Sequence, residues 1–257
     1  MDNSPTQALR PYVVDSGAEY VHLGQNVGYG SGHNVVFRRN LESSEYHLVL
    51  NPDVSFEPQI PLVLYEFMNG RPDVGLVMPR IQYPDGTDQR LCKKLPTPFD
   101  LISRRFLGGI GRSLFSGQLR SYQMLDVDLR VAREVPCLSG CFMFIRCATL
   151  YEVGYFDERY FMYMEDVDLC RRIGEQYKTA FFPNVSVTHG YAKGSYRDFA
   201  LLRYHLQSAI KYFMKWGWFR DSKRVFLNSR IDPLVRDEST TERTSAEKRN
   251  LTRTCHY

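Results

Sequence analysis

The chain has no C-x-x-C pair among its six cysteines, Cys92, Cys137, Cys141, Cys147, Cys170 and Cys255, which argues against a zinc-binding module. No apolar segment opens the sequence, and no apolar run approaches the roughly 20 residues needed to cross a bilayer. With its unpatterned cysteines, this predicts a protein of a reducing cytoplasm whose membrane contact is at most peripheral. Charge of neither sign dominates. A net charge of +4 and a pI near 8.7 are too mild to demand nucleic acid, although they suit an anionic substrate or an acidic membrane surface. No internal repeat is visible. The glycines of "NVGYGSGHN" (26–34), Gly28, Gly30 and Gly32, lack the G-x-G-x-x-G spacing, which counts against a dinucleotide loop. They leave two readings, a plain flexible turn or a close backbone approach to a ligand with helix-start amides meeting phosphate.

What is present is an ordinary globular composition: 257 residues, 43% hydrophobic and 24% charged, enough to bury a core, with one domain as the default. "EYHLVL" (45–50) reads as a buried strand ending at "NPD", and "VGLVMPRIQY" (74–83) as another ending near the Asp85-Gly86 turn. Between them Leu62, Tyr65 and Met68 recur at helical spacing, with Gly70 as a stop. Strand, helix, strand predicts a parallel α/β sheet. A Gly- and Ser-punctuated segment (96–122) with Arg104, Arg105, Arg112 and Arg120 predicts a loop or short helices. "CLSGCFMFIR" (137–146) adds a strand, "ATLYEVGYF" (148–156) a short helix, "DLCRRIGEQY" (168–177) a helix and "TAFFPNVSV" (179–187) a strand stopping at Thr188-His189. From about Ser229 the chain is polar and poor in aromatics, which predicts a disordered tail over 229–257.

Three groups sit where strands end or helices begin: Asp53 in "LNPD", Asp166 in "MEDVD" and His189 in "VSVTHG". In open α/β sheets ligands bind outside the carboxyl ends of the strands, so these positions would converge on one crevice. Asp53 suits a hard cation such as Mg²⁺ or Mn²⁺ holding a diphosphate, and His189 suits Mn²⁺; the bland readings are a turn and a packed histidine. Glu165 and Asp166 side by side disfavour joint ionisation. Desolvated by Phe161 and Tyr163, one of them could be poised as a general base. Acids also favour helix starts for the macrodipole alone, and Asp168 reads as a structural partner of Arg171 and Arg172 at helical spacing.

Taken in order, "DNSP", "NVGYGSGHN", "LNPDV", "CLSGCFMFIR", "VGYFDERYFMYMEDVDLCRR" and "VTHG" resemble the family-2 glycosyltransferases, and specifically the rhamnosyltransferase-like branch that builds bacterial surface polysaccharides such as O-antigen. The resemblance runs from Asp2 to about Asn228. It implies a GT-A fold with a Rossmann-like mixed sheet, a nucleotide-sugar donor, a divalent metal and inversion at the anomeric carbon. By motif, Asp53 resembles the metal-binding residue of a D-x-D element that here reads Asn51-Pro52-Asp53, with Asn in place of the first acid. His189 is similar to the late metal-ligating histidine and Asp166 to the catalytic base, with Glu165 beside it. Asp2 resembles the acid that reads the nucleotide base; Asn26, Gly28, Asn34 and Asn51 resemble residues of the donor pocket. The alternative is a membrane-associated subunit that keeps the fold without turnover.

Two further expectations follow. In the resembled family an apolar strand, a helix and a second strand precede the "DN-S" motif, so the catalytic domain, 1–198, is expected to lack its first strand-helix-strand. Residues 199–228 form a basic amphipathic helical segment in which Leu202, Leu206, Ile210, Phe213 and Trp216 alternate with Arg203, Lys211, Lys215, Arg220, Lys223 and Arg224. The segment suits packing on the catalytic domain or the surface of an anionic bilayer. A polyprenyl-diphosphate-linked saccharide acceptor would lie on such a surface. By resemblance, dTDP-rhamnose is the favoured donor and the inner face of the bacterial inner membrane the location.

Overall fold

The computed structural model describes residues 1–40, 43–106, 116–190 and 199–234. In chain order its elements are α1 (Arg10–Val14), α2 (Tyr29–Asn40), β1 (Tyr46–Leu50), β2 (Val54–Ser55), α3 (Ile60–Asn69), β3 (Val74–Gln82), α4 (Pro98–Phe106), α5 (Ser116–Tyr122) and β4 (Arg133–Glu134). They continue with β5 (Phe142–Arg146), α6 (Cys147–Val153), α7 (Glu165–Gly174), β6 (Lys178–His189), α8 (Phe199–Trp216) and α9 (Ser222–Ser229). The strands form one six-stranded sheet in the order β1-β5-β3-β6-β2, with β4 also paired to β6.

The sheet is mixed. β3 and β6 run parallel, whereas β1·β5, β3·β5, β2·β6 and β4·β6 are antiparallel. The parallel sheet read from strand, helix, strand holds for the directions of β1, β3 and β6, and the mixed sheet implied by the resemblance is the one formed. β1 and β3 do point the same way, but β5, arriving from far along the chain, is inserted antiparallel between them. β3 is buried along almost its whole length, as a strand with neighbours on both edges and helices over it should be. Its Pro79 and the Pro183 of β6 cannot donate ladder bonds. There the register slips, and residues 183–185 bulge out between Phe182 and Ser186.

Helix positions follow the apolar spacing. On α3 the buried face is Ile60, Leu64 and Met68. Leu62, expected to face inward, is 59% exposed, because two residues from both Ile60 and Leu64 it falls on the opposite side of the helix. Gly75 of β3 explains how α6 and α7 approach the sheet: a Cβ there would lie 2.8 Å from Thr149 Cγ2 and 3.1 Å from Ile173 Cγ2. That close contact fixes the line of α7 over the central strands.

The C-terminal helices dock on α7 through buried ions. Asp168, fully buried, binds Arg172 at 2.8 Å and Lys215 at 2.7 Å, and accepts from Trp216 Nε1 at 2.7 Å. The structural role expected for Asp168 holds with Arg172. Arg171 turns away instead and pairs with Asp221, ahead of α9, at 2.6 and 2.8 Å, lying 4.2 Å over the Trp216 ring. Burial, the largest single influence, would raise the Asp221 carboxyl, but Arg171 and Arg224 together outweigh it and hold the pKa below its usual value. Beyond α9 the chain pairs along β4, with Leu234 N–H donating to Ala132 O at 2.8 Å and Arg230 bridging Glu134 at 2.7 Å. Ordered packing thus passes Ser229, where the tail was expected to begin. The remainder of that tail, 235–257, lies outside the described residues, as does Arg112.

Candidate active site

β1 ends at Leu50 opposite Phe142, and Asn51 N–H continues the ladder to Cys141 O at 3.0 Å. After Pro52, Asp53 leads into β2, whose Val54 pairs with His189 at the end of β6. Gly190 N–H donates to Asp53 O at 2.9 Å. This two-residue pairing is what brings together positions 136 apart in sequence: His189 Nε2 lies 3.3 Å from Asp53 Oδ1. His189 is 4% exposed and the Asp53 side chain 45% exposed, so a buried ring nitrogen lies under an open carboxylate oxygen. Gln89 accepts at Oε1 from His189 Nδ1 across 3.0 Å.

Asp166, half-buried in the first turn of α7, accepts from Gly140 N–H at 3.0 Å and Val167 N–H at 2.8 Å. Tyr29 Oη donates to Gly140 O at 2.6 Å, holding the same residue by its carbonyl. Ahead of the helix Tyr163 and Met164 both take left-handed backbone angles, φ 68° and 69°. Each such residue costs on the order of 1–3 kcal/mol, and the strained turn aims the two acids. Cys141 joins the two halves of the site. Its neighbour Gly140 holds Asp166 and its own carbonyl takes Asn51 N–H, two residues before Asp53, while burial, then Asp166, then Asp53 push its thiol upward.

Glu165 is buried, and its pKa is held well above the ordinary carboxylate range by burial first and by Asp166 second. Its Oε2 has no hydrogen-bond partner among the described residues. Phe161 and Tyr163, expected to desolvate the acids, set their rings against α8. Those rings lie 4.6 Å from Tyr204 and 5.0 Å from His205, covering α8, while Glu165 packs beside Gly30, where a Cβ would lie 3.6 Å from its own Cβ. The Tyr29 phenol is raised in turn, by burial and then by Glu165 and Asp166. The acid pair is therefore split: Asp166 is half-accessible and Glu165 sits beneath.

The residues expected to line a donor pocket divide. Asn34 is buried, donating to Phe156 O at 2.8 Å and Glu158 Oε1 at 2.9 Å and accepting from Phe156 N at 3.0 Å. Its amide is engaged inside the fold. At Gly28, φ 94°, a Cβ would meet Phe161 O at 2.4 Å, and that carbonyl takes Tyr29 N–H at 3.0 Å, so the close backbone approach made here is to Phe161. Asn26 is exposed and orders the same loop, accepting from Asn3 at 3.1 Å and Gly28 N–H at 2.9 Å. Asp2 has both oxygens engaged, by Tyr20 Oη at 2.5 Å and Ser4 N–H at 2.9 Å; these bonds, Tyr20 first, lower its pKa to about 2.

Gln89, Gly140, Tyr20 and Tyr29 were not singled out from the sequence. Only a weak signal existed for Gln89, its place just past the Asp85-Gly86 turn. A cleft of about 470 Å³ between the second half of β3 and residues 125–130 is lined by Asp88 and Arg90 on either side of Gln89, but by none of Asp53, Asp166 or His189. The converging polar groups, not that volume, mark the chemistry.

No family model matches the chain. Over 244 residues, 90% of this chain and 77% of the other, it is 29% identical to the N-acetylglucosaminyl-diphospho-decaprenol L-rhamnosyltransferase of Mycobacterium tuberculosis. Its relatives are glycosyltransferases. Rhamnosyltransferase WbbL of Escherichia coli is 26% identical over 84% of this chain and 78% of its own. The low-salt glycan biosynthesis hexosyltransferase Agl10 of Haloferax volcanii is 28% identical over 67% of this chain and 51% of its own. These relatives bear out the resemblance read from the motifs. The crystal structure of GalNAc-T7 with UDP, GalNAc and Mn²⁺ superposes with a TM-score of 0.51 at 13% identity, covering 82% of this chain and 39% of that one. The fold is GT-A.

Proposed function

We propose that the chain is an inverting glycosyltransferase that moves a sugar, L-rhamnose from dTDP-rhamnose as first choice, onto a polyprenyl-diphosphate-linked saccharide. The observation that carries this reading is the meeting of Asp53 with His189 where β1 and β6 end, beside the Gly140-Cys141 turn whose Gly140 N–H holds Asp166 and whose Cys141 O takes Asn51 N–H. The donor set fits a divalent cation. Among the described residues no group of three His, Cys, Asp or Glu side chains is placed to hold a metal, but two protein ligands completed by diphosphate oxygens and water are what Mg²⁺ or Mn²⁺ takes in nucleotide sites. A cation held by Asp53 and His189 supplies charge stabilisation to the departing diphosphate.

The remaining chemistry belongs to side chains. Asp166, oriented by two backbone N–H groups, takes the proton of the acceptor hydroxyl as that oxygen bonds to the anomeric carbon and the bond from that carbon to the phosphate oxygen breaks. Glu165, kept protonated by its burial, spares Asp166 a neighbouring charge. Asn51 and Asn26 remain candidates for the donor, and Asp2 reads the base where an imino N–H displaces Tyr20 Oη. Asp166→Asn should lower kcat by about 10²-fold or more with donor binding nearly intact, the loss expected for a general base; unchanged turnover would overturn the role. Absence of both transfer and donor hydrolysis in the wild type with Mn²⁺ would favour the turnover-deficient subunit instead.

The acceptor places the protein at a bilayer. Among the described residues no helix is long and apolar enough to cross a membrane. α8 and α9 nonetheless expose Phe199, Met214, Phe219, Val225 and Phe226, each more than 60% exposed, while Phe213 and Tyr212 pack inward. Arg203, Arg220 and Lys223 are exposed among these residues; Lys215 and Arg224, expected to join them, are engaged inside. Exposed aromatics bordered by cations suit an anionic bilayer, here the inner face of the inner membrane. Sedimentation with anionic liposomes tests it, since Phe219→Ser with Phe226→Ser should abolish binding that neutral liposomes never support.

A further inference from the structure

We infer that Gln89 is a positioning residue that fixes His189 in the Nδ1–H tautomer, so that Nε2 presents its lone pair beside Asp53. The inference rests on reading Asp53 and His189 as the cation-holding pair, and names what sets that pair up. Gln89 is delivered by a short hairpin that extends β3. Gly86 at φ 82° turns the chain, Tyr83 N–H donates to Thr87 O at 2.8 Å, and Gln89 N–H returns to Ile81 O at 2.9 Å. Asp85 caps the turn through Thr87 N–H at 2.9 Å.

The side-chain amide has one orientation that satisfies its neighbours. Its Nε2 faces two carbonyls, His189 O at 2.7 Å and Gln82 O at 3.2 Å. Carbonyls only accept, so the atom between them must be the donor nitrogen. The oxygen then faces His189 Nδ1 at 3.0 Å, and an amide oxygen requires a proton on that nitrogen. In the neutral ring Nε2 is left as an acceptor 3.3 Å from the Asp53 carboxylate. Two acceptors facing each other suit a cation, and a histidine ligand whose other nitrogen donates to a fixed oxygen is the usual arrangement at metal sites.

The test uses the full chain labelled with ¹⁵N-histidine, read by long-range ¹⁵N–¹H NMR with and without Mg²⁺, and by Mn²⁺ titration calorimetry in the presence of dTDP. The expected result is an Nδ1–H signature for His189 in the Mg²⁺-loaded wild type, lost or mixed in Gln89→Leu, with Mn²⁺ affinity falling 10–100-fold. Gln89→Glu keeps an acceptor for Nδ1–H but sets its second oxygen against the His189 and Gln82 carbonyls, so it should hold the tautomer with a Mn²⁺ affinity between those of wild type and Gln89→Leu, which also covers a Gln89→Leu that fails to fold. An Nε2–H ring in the loaded wild type, or Gln89→Leu matching wild type in both tautomer and affinity, overturns the inference. A wild type that binds no Mn²⁺ and is unaffected by Asp53→Ala defeats the cation reading instead, while the His189 tautomer in the metal-free protein still judges Gln89.

Discussion

Replacing Glu165 by Gln should make the protein more resistant to unfolding as pH rises, and the structure sets the sign and slope. Burial first, and the Asp166 charge second, hold the Glu165 carboxyl protonated above its ordinary value of 4.5. In the unfolded chain it ionises near that ordinary value. Between the two, folding takes up a proton, so each pH unit costs the fold about 1.4 kcal/mol from this group until the folded pKa is reached. The contribution is most favourable below 4.5 and is lost as pH rises through the folded value. Gln cannot titrate, and it replaces an Oε2 that already lacks a hydrogen-bond partner. Urea unfolding of both proteins at pH 5, 6 and 7 reads the difference in stability, in which all other groups cancel to first order. The difference should shift toward the variant by roughly 1.4 kcal/mol per unit, and a background of Asp166→Asn should shorten the window by removing the second cause. A difference that stays constant across the range would show that Glu165 ionises at its ordinary value and that its burial relaxes.

The elements were legible where apolar runs are long, as at β1, β3, β5 and β6, because a strand buried on both faces has no other composition open to it. Their order was not. Nothing in 137–146 announces that β5 will pair antiparallel with both β1 and β3, since pairing is decided by partners far along the chain. The same limit divides the site. Asp53, Asp166 and His189 could be picked out because acids and imidazoles at strand ends have a chemical use, and the β2·β6 pairing then joins two of them. The contacts of Asn34 and Gly28 could not be read because a polar residue or a glycine in a Gly-rich stretch looks the same whether it meets a ligand or the protein's own Phe156 and Phe161 carbonyls. Gln89 was invisible for a related reason: its importance lies in what each end of one amide faces, and no spacing rule encodes that. On α8 the apolar stripe was only partly right: Phe213 and Trp216 pack inward with Tyr212, while Leu206 and Ile210 of the same stripe are 45% and 48% exposed.

Asp221→Ala should destabilise the fold by about 3–5 kcal/mol, because it strands the Arg171 guanidinium, only 2% exposed, without its counter-ion; a loss below about 1 kcal/mol in urea unfolding would mean that Trp216 and Glu175 suffice. Tyr20→Phe should let the Asp2 pKa climb from about 2 toward 3.8 in an NMR titration, since the Tyr20 bond is the largest cause of its depression; a value unmoved would assign the effect to Ser4. Gly140→Ala tests whether the site is as tightly set as its hydrogen bonds suggest. The new Cβ would lie 3.3 Å from Asp166 Cβ, 3.5 Å from Tyr29 Cε1 and 3.6 Å from Asp166 Oδ2, close enough to displace the carboxylate by a few tenths of an ångström without a gross clash. Catalytic groups misplaced by about 1 Å lose on the order of 10²-fold, so a smaller push should lower kcat by roughly 10-fold and leave donor affinity and melting temperature nearly unchanged. Equal losses in kcat and melting temperature would make Gly140 a packing residue. Unchanged kcat would show that Asp166 does not depend on the Gly140 N–H for its aim, and the base assignment would then rest on its location alone.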